Sequence, residues 1–188
     1  MSLLIGTVIA MSIALLTYRS AWASNLATRS TSLILTVPSF ALYAVLLGVL
    51  GLGVLPPLVA LTLYSLLPVV RNTVVGLNEV DDAVVESAKG MGMSRLQQLR
   101  RIELPLAWPV VLTGIRVSAK LLIGIAAIAA IVNGPGLGNL IMDALARVGT
   151  PIAIPEVIVG TLGIVLIAII VDAGFAGLTK ATTPRGMK

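Results

Sequence analysis

The chain has 188 residues, of which 57% are hydrophobic and only 11% are charged, and its mean hydropathy is +1.05. Soluble domains carry about 25% charged residues, so this composition excludes an ordinary soluble protein and indicates one integral membrane domain covering residues 1–188. The absence of cysteine and histidine excludes disulfides, thiol chemistry and the usual zinc sites. The formal charge of +5 is best explained by membrane topology, because no basic run is interleaved with aromatic residues as in nucleic-acid-binding proteins.

Five apolar segments are long enough, or nearly so, to cross a bilayer as helices. They cover residues 2–18, 33–50, 57–77, 108–132 and 155–178. The first could be mistaken for a signal peptide because "AWA" follows at 21–23, but no basic residue precedes it and Arg19 comes after it. Pro38 and Pro68 lie inside two of these segments, where neighbouring helices can satisfy the freed carbonyls. The sequence therefore predicts an all-α membrane protein with about five transmembrane helices.

The basic residues predict the orientation of these helices. Most of them fall into the connection with Arg19 and Arg29, the segment 71–103, and the tail with Lys180, Arg185 and Lys188. Lys and Arg collect on the cytoplasmic side, and Arg147 is the only basic residue clearly on the other side. We therefore expect a multi-pass protein of the cell (inner) membrane with its N-terminus outside and its C-terminus in the cytoplasm.

The outer connection between the fourth and fifth segments has a helical pattern. Its apolar positions are Leu137, Leu140, Ile141, Ala144, Leu145 and Val148, and its polar positions are Asn139, Asp143 and Arg147. Asp143 and Arg147 are spaced to pair within one helix. Two interpretations stay open for this amphipathic helix, an outer gate and a surface cap.

A polar insert at 79–105 separates the third and fourth segments. Asp81 or Asp82 can cap a first short helix, and the glycines at 90 and 92 end it. Ser94 stands three residues before Gln97, which is the spacing of a capping box, and Pro105 is expected to end the second helix.

The first of these short helices has a face that another protein could contact. Val84, Ala88 and Met91 fall on one stripe, and Ser87 and Ala88 are small enough for a partner surface to approach closely. The helical pattern alone also fits a loop that merely lies on the membrane surface.

The order of residues in the insert resembles the EAA signature of binding-protein-dependent ABC importer permeases. That signature is Glu-Ala-Ala, three residues, Gly, nine residues and Ile-x-Leu-Pro, and this chain departs from it only in having Ser87 for the first Ala. The phrases "PSFALYAVLLGVLGLG", "LYSLLPVVRNTVVGL" and "GPGLGNLI" are similar in order and spacing to permeases of osmoprotectant importers, which carry glycine betaine, choline, carnitine or related quaternary amines. The resemblance covers roughly residues 30–178 and implies a type I (MetI-like) permease fold.

The resemblance also implies partners and roles. Two such permeases, identical or related, would pair with two cytoplasmic ATPase subunits and one extracytoplasmic substrate-binding protein. The insert would form the coupling helix that docks on the ATPase, through Glu86, Ser87, Ala88, Gly92, Ile102, Leu104 and Pro105. Arg95, Arg100 and Arg101 could contact acidic residues of the ATPase or anionic lipid headgroups.

The chain has no sequence motif for an energy source of its own. None of Lys89, Lys120, Lys180 and Lys188 is followed by Ser or Thr, so a P-loop is absent. We expect no catalytic site and no bound cofactor or metal, with ATP and Mg²⁺ on the partner ATPase. The alternatives are an ion-gradient-driven secondary transporter or small channel, which would prefer acidic residues deep in the spans, and a membrane scaffold without transport.

Two sets of residues within the spans are candidate functional residues. Arg116 and Lys120 lie one turn apart and could pair with Asp172, although snorkelling to the inner interface is the alternative. A quaternary ammonium substrate is attracted to aromatic faces, and Tyr43 and Tyr64 are the best placed aromatics for a pathway. Trp22 and Trp108 fall near the predicted inner boundary, where aromatic residues commonly anchor helices.

Overall fold

A computed structural model describes residues 1–183, and all regular structure within this range is helical. The predicted tail residues Arg185 and Lys188 lie outside it. The α-helices are α1 (Ser2–Thr17), α2 (Ala21–Thr36), α3 (Ser39–Leu50), α4 (Leu55–Asn78), α5 (Asp82–Gly90), α6 (Arg95–Gln98), α7 (Leu104–Ile128), α8 (Gly138–Ala146) and α9 (Ala153–Thr182). A π-helical segment, Leu99–Glu103, joins α6 to α7, and a 3₁₀ segment, Ala129–Val132, extends α7.

Helix α4 lies at the centre of the bundle and packs against α1, α2, α3 and α7. Small residues allow this close packing. A β-carbon on Gly6 of α1 would lie 1.7 Å from the Ser65 hydroxyl of α4, and one on Gly114 of α7 would lie 2.7 Å from the Pro68 carbonyl. In lipid the hydrophobic effect does not drive helices together, so close backbone approach at small residues is a main source of attraction.

The second predicted span differs from the structure. Residues 33–50 do not form one helix, because α2 ends before Pro38 and α3 begins after it at an angle of 89°. Proline disfavours helical geometry in the preceding residue, and Val37 is extended with ψ 125°. The Tyr64 hydroxyl donates to the Val37 carbonyl at 2.7 Å, which stabilises the break. Residues 21–32, expected to be a loop, belong to α2.

Three helical segments of the described chain are long and apolar enough to cross a membrane. They are Leu55–Asn78, Arg95–Val132 and Ala153–Thr182. The bent pair α2–α3 counts as a fourth if taken as one span, and α1 is a shorter apolar helix of 16 residues. These elements agree with the predicted number of about five, although the second is bent.

Helix α8 forms where the amphipathic helix was predicted, but two details of that prediction are wrong. Arg147 pairs with Glu156 of α9 at 3.0 Å rather than with Asp143, because Arg147 is the C-cap of α8 and its side chain reaches the start of α9. Leu145 and Val148 are exposed, so only part of the predicted apolar face packs inward.

Candidate functional site

The polar loop between α4 and α7 starts with a capped helix. The Asp81 carboxylate accepts a hydrogen bond from the Ala83 amide at 2.9 Å and so caps α5, as the sequence predicted. The helix ends at Gly90, and Gly92 has a φ of 79°, a conformation that glycine adopts without strain. The Met93 amide then donates to the Ala88 carbonyl at 3.2 Å. This turn reverses the chain at the position that the glycine pattern indicated.

The return of the loop to the bundle is continuous helix. Ser94 and Gln97 form the predicted capping box, with the Ser94 amide donating to Gln97 Oε1 at 2.8 Å. The prediction that Pro105 ends this helix is wrong, because the π-helical turn leads directly into α7. In that wider turn the Leu104 amide donates to the Leu99 carbonyl. Pro105 lies in the first turn of α7, where a missing amide hydrogen is tolerated.

Helix α5 has one face turned towards the chain itself and one turned away. Ala88 is only 1% exposed, and α5 packs on the segments Arg95–Gln98 and Leu99–Glu103. Val84, Ser87 and Met91 are exposed, and we call these three residues the exposed face of α5. Glu86 is exposed as well. Met91 is apolar and 70% exposed.

The arginines of the loop fall into two hollows. Arg100 and Arg101 line a surface hollow of about 460 Å³ with Leu96 and Gln97. Arg95 lines a larger cavity of about 650 Å³ on the side where the loop meets the end of α1. Arg95 therefore borders a different hollow from Arg100 and Arg101. Ile102 and Leu104 are partly buried and belong to the base of the loop, with Pro105 exposed beside them.

A buried carboxylate at the base of the loop was not predicted from the sequence. Glu103 is 4% exposed and accepts hydrogen bonds from the Tyr18 hydroxyl at 2.5 Å and the Arg19 guanidinium at 2.9 Å. Burial opposes the charge on Arg19, but its interactions with Tyr18 and Glu103 raise the pKa of this guanidinium above its usual value. The group therefore stays charged at physiological pH. Glu103 stands at the x position of the Ile-x-Leu-Pro motif. Its place in that motif was the only sequence feature that pointed to it.

The structure brings together, between α7 and α9, the three charged residues that were predicted from the sequence to pair within the spans. Arg116 donates to both carboxylate oxygens of Asp172, with the Nη2–Oδ2 bond at 2.7 Å. Lys120 Nζ lies 2.8 Å from Asp172 Oδ1. The side chains are between 30% and 50% exposed in this chain. We call these three residues the charged cluster.

The aromatic residues proposed for the pathway are in the core instead. Tyr43 is fully buried and Tyr64 is 2% exposed. Their hydroxyls donate to backbone carbonyls, of Ile125 at 3.2 Å and of Val37 at 2.7 Å. Both tyrosines therefore support helix packing and present no ring face to a passage. Trp22 and Phe40 are exposed, at 75% and 58%.

Comparison with known proteins identifies the family. Residues 3–183 match the family described as the binding-protein-dependent transport system inner membrane component. The chain belongs to this family. It is 36% identical to the choline transport system permease of Bacillus subtilis (strain 168), over all of this chain and 84% of the relative. It is 35% identical to the osmoprotectant import permease of Salmonella typhimurium (strain LT2), covering 98% of this chain and 86% of the relative.

A solved structure has the same fold. The chain aligns to the permease in an inward-facing structure of the MetNI methionine ABC transporter with a TM-score of 0.85, covering 97% of this chain and 90% of the other at 19% identity. The protein is thus a multi-pass integral membrane permease subunit of a binding-protein-dependent ABC importer with the MetI-like fold. Neither an ion-gradient-driven transporter nor a scaffold is supported by this assignment.

Proposed function

We propose that this permease imports quaternary amine osmoprotectants such as glycine betaine, choline or carnitine, driven by ATP hydrolysis on a separate subunit. The proposal is supported by relatives over the whole chain that are choline and osmoprotectant permeases. The chain would act without cofactor or catalytic site, with ATP and Mg²⁺ bound by the ATPase.

The proposed assembly has two permeases, two cytoplasmic ATPase subunits and one extracytoplasmic binding protein. The second permease is either a copy of this chain or a related chain. The lysine and arginine residues of the polar loop, Lys89, Arg95, Arg100 and Arg101, support a cytoplasmic location for it, with the N-terminus outside and the C-terminus inside.

The coupling role is carried by one observation, the exposed face of α5. Val84 is 41% exposed and Met91 is 70% exposed, and Leu96 beyond the turn is 62% exposed. Apolar side chains held outside the bundle on a polar loop are expected to be covered by a partner. Glu86 and Ser87 lie on the same helix and can hydrogen-bond the partner at the edge of that contact. Ala88 acts indirectly, by letting α5 pack on the segment 95–103.

Copurification with the ATPase tests this coupling. We expect Met91→Glu together with Glu86→Lys to abolish copurification, because the pair removes the apolar contact and reverses the charge, while the permease still inserts into the membrane. Gly92→Val should weaken ATPase binding too, because valine disfavours the φ of 79°.

Gly90→Ala is the matched control for the turn. A β-carbon at Gly90 or at Gly92 would meet no atom within 4 Å, but only Gly92 has a positive φ. Gly90→Ala should therefore copurify normally. Undiminished ATPase binding by Met91→Glu with Glu86→Lys would refute docking through α5.

Transport by the reconstituted importer tests the substrate. Vesicles containing this permease, its permease partner and the ATPase, supplied with the binding protein, should take up glycine betaine, carnitine or choline only with ATP. An unrelated amino acid should not enter. Uptake that persists without ATP, or uptake of the amino acid alone, would contradict the proposal.

A further inference from the structure

We propose that the charged cluster faces the substrate passage and favours quaternary amines that also carry a carboxylate over those that are purely cationic. This inference rests on the proposed function and specifies which chemical group of the substrate the permease itself recognises. It follows from the depth of the cluster, its net charge and the composition of the helix faces around it.

The cluster lies within the apolar part of both helices rather than at their ends. At 1.5 Å per residue, Lys120 is about 18 Å along the helix axis from Trp108 and about 18 Å from Val132, the ends of the apolar segment. Asp172 is about 9 Å from the inner end of the predicted segment 155–178 and about 26 Å from its outer end. The cluster therefore lies in the inner half of the hydrocarbon layer, which is about 30 Å thick. Asp172 holds Lys120 at 2.8 Å, so the charges at this depth need a polar surface beside them.

The cluster also keeps a net charge. It contains two cations and one carboxylate, so it carries one uncompensated positive charge. Arg116 occupies both oxygens of Asp172, and Lys120 shares one of them while its side chain stays 50% exposed. A charge of this kind is costly against lipid and is found facing a bundle interior or water.

The two helices that hold the cluster expose different surfaces. On α7 the exposed residues Thr113, Val117, Lys120 and Gly124 follow one another along one side, and we call them the α7 stripe. Thr113, Val117 and Gly124 are small, and Lys120 is charged. On α9 many of the exposed side chains are large and apolar, among them Val159, Leu162, Leu166, Ile169 and Ile170, and the small residues Ala173 and Gly174 are exposed beside Asp172. The α9 surface suits lipid, whereas the α7 stripe suits water and a solute.

A positive charge on the passage discriminates between osmoprotectants. Glycine betaine and carnitine carry a quaternary ammonium and a carboxylate, whereas choline carries the ammonium alone. The Lys120 ammonium attracts the carboxylate and repels a bare cation, and in a water-poor passage both effects are stronger than in bulk solvent. The Tyr43 and Tyr64 rings are buried, so they offer the ammonium no compensating aromatic contact.

Thiol reactivity measures both the exposure and the charge. The chain has no cysteine, so single-cysteine variants give clean signals. In the reconstituted importer, Val117→Cys should react with both sulfonate-bearing and trimethylammonium-bearing methanethiosulfonates. The ratio of the anionic to the cationic reaction rate should be roughly fivefold higher than the same ratio for a free thiol in solution. Adding Lys120→Gln should abolish this preference, and adding Lys120→Arg should keep it.

Ile169→Cys on α9 is the matched control because it lies at similar depth and is 60% exposed. It should react with neither reagent. If Val117→Cys is equally unreactive with and without ATP, the α7 stripe faces lipid and the inference is wrong. The inference is equally wrong if Val117→Cys reacts but Lys120→Gln leaves the anionic preference unchanged.

Uptake measurements test the selectivity directly. Lys120→Gln should lower glycine betaine uptake relative to choline uptake several-fold, and Lys120→Arg should retain the original ratio. An unaltered importer that carries choline but neither glycine betaine nor carnitine would refute this inference and leave the proposed function standing. An importer that carries none of the three would refute the proposed function, whatever the thiol result.

Discussion

The Glu103 carboxylate shows how one residue can join the polar loop to the bundle. It is buried at the junction of the loop and α7, where an uncompensated charge would be unfavourable. Tyr18 and Arg19 at the end of α1 supply the compensating hydrogen bonds, and the Arg19 guanidinium also lies 5.4 Å from the Tyr18 ring centre. A displacement of the loop must therefore move the end of α1 or break these bonds.

Replacement of Tyr18 by phenylalanine tests this junction. The hydrogen bond goes to a charged acceptor, so its loss should destabilise the protein by about 2 kcal/mol. The melting temperature of the purified permease in detergent should fall by a few degrees. Tyr43→Phe removes a longer bond to a neutral carbonyl and should cost less. An equal or larger loss for Tyr43→Phe would contradict the charge-assisted explanation.

Pairing of charges was only partly predictable from the sequence. The charged cluster could be anticipated because isolated charges within apolar spans need partners, and antiparallel helices bring 116, 120 and 172 to one depth. Glu103 and Arg19 are far apart in sequence, and Arg19 was interpreted only as a topology signal. The i, i+4 spacing of Asp143 and Arg147 misled because a partner on the next helix was available in Glu156.

At the level of elements, local hydrogen-bond chemistry was easier to predict than helix continuity. The caps at Asp81 and Ser94 depend on residues a few positions apart, and both are present. The bend at Pro38 was missed because hydropathy averages over a break, and α2 was missed because its many serines and threonines lower that average. The continuity through Pro105 needed a π turn, which has no clear sequence signal.

The capping box at Ser94 should determine how well the loop turn is ordered. Ser94→Ala should reduce the local stability of the turn by about 1 kcal/mol, because the backbone amide of Gln97 loses the Ser94 hydroxyl as its acceptor. Hydrogen exchange of amides over 91–98 in the isolated permease should then quicken by about fivefold. Ser87→Ala is the control, since its hydroxyl bonds only the Ala83 carbonyl within α5. Unchanged exchange in Ser94→Ala would show that other contacts order the turn.

At the scale of the whole molecule, α9 depends most on its surroundings. It packs mainly on α7 and α8, and only 6% of the residues in its most apolar stretch are buried by the rest of this chain. Membrane lipid and other subunits must cover the remainder. The hydropathy of the sequence predicted such a helix well, but it could not distinguish the sides that face lipid from those that face protein.

Reporter fusions test the proposed orientation of the chain. A phosphatase that is active only outside the cytoplasm should be active when fused after residue 149 and inactive when fused after residue 92. A fluorescent protein that folds only in the cytoplasm should give the reverse pattern. The physical reason is the concentration of basic residues around the polar loop. Phosphatase activity at 92 would invert the proposed topology and remove the ATPase from reach of α5.

The uninterrupted helix Arg95–Val132 begins inside the polar loop and continues to the far end of an apolar span. Its 38 residues make a rod about 57 Å long. No loop separates the two parts, so a rigid tilt of this rod about the point where α7 crosses α4 would move both of its ends. A tilt of about 10° about its midpoint would carry each tip roughly 5 Å in opposite directions. Under the proposed docking of the polar loop, a small displacement on the cytoplasmic side would be matched by an opposite displacement on the outer side.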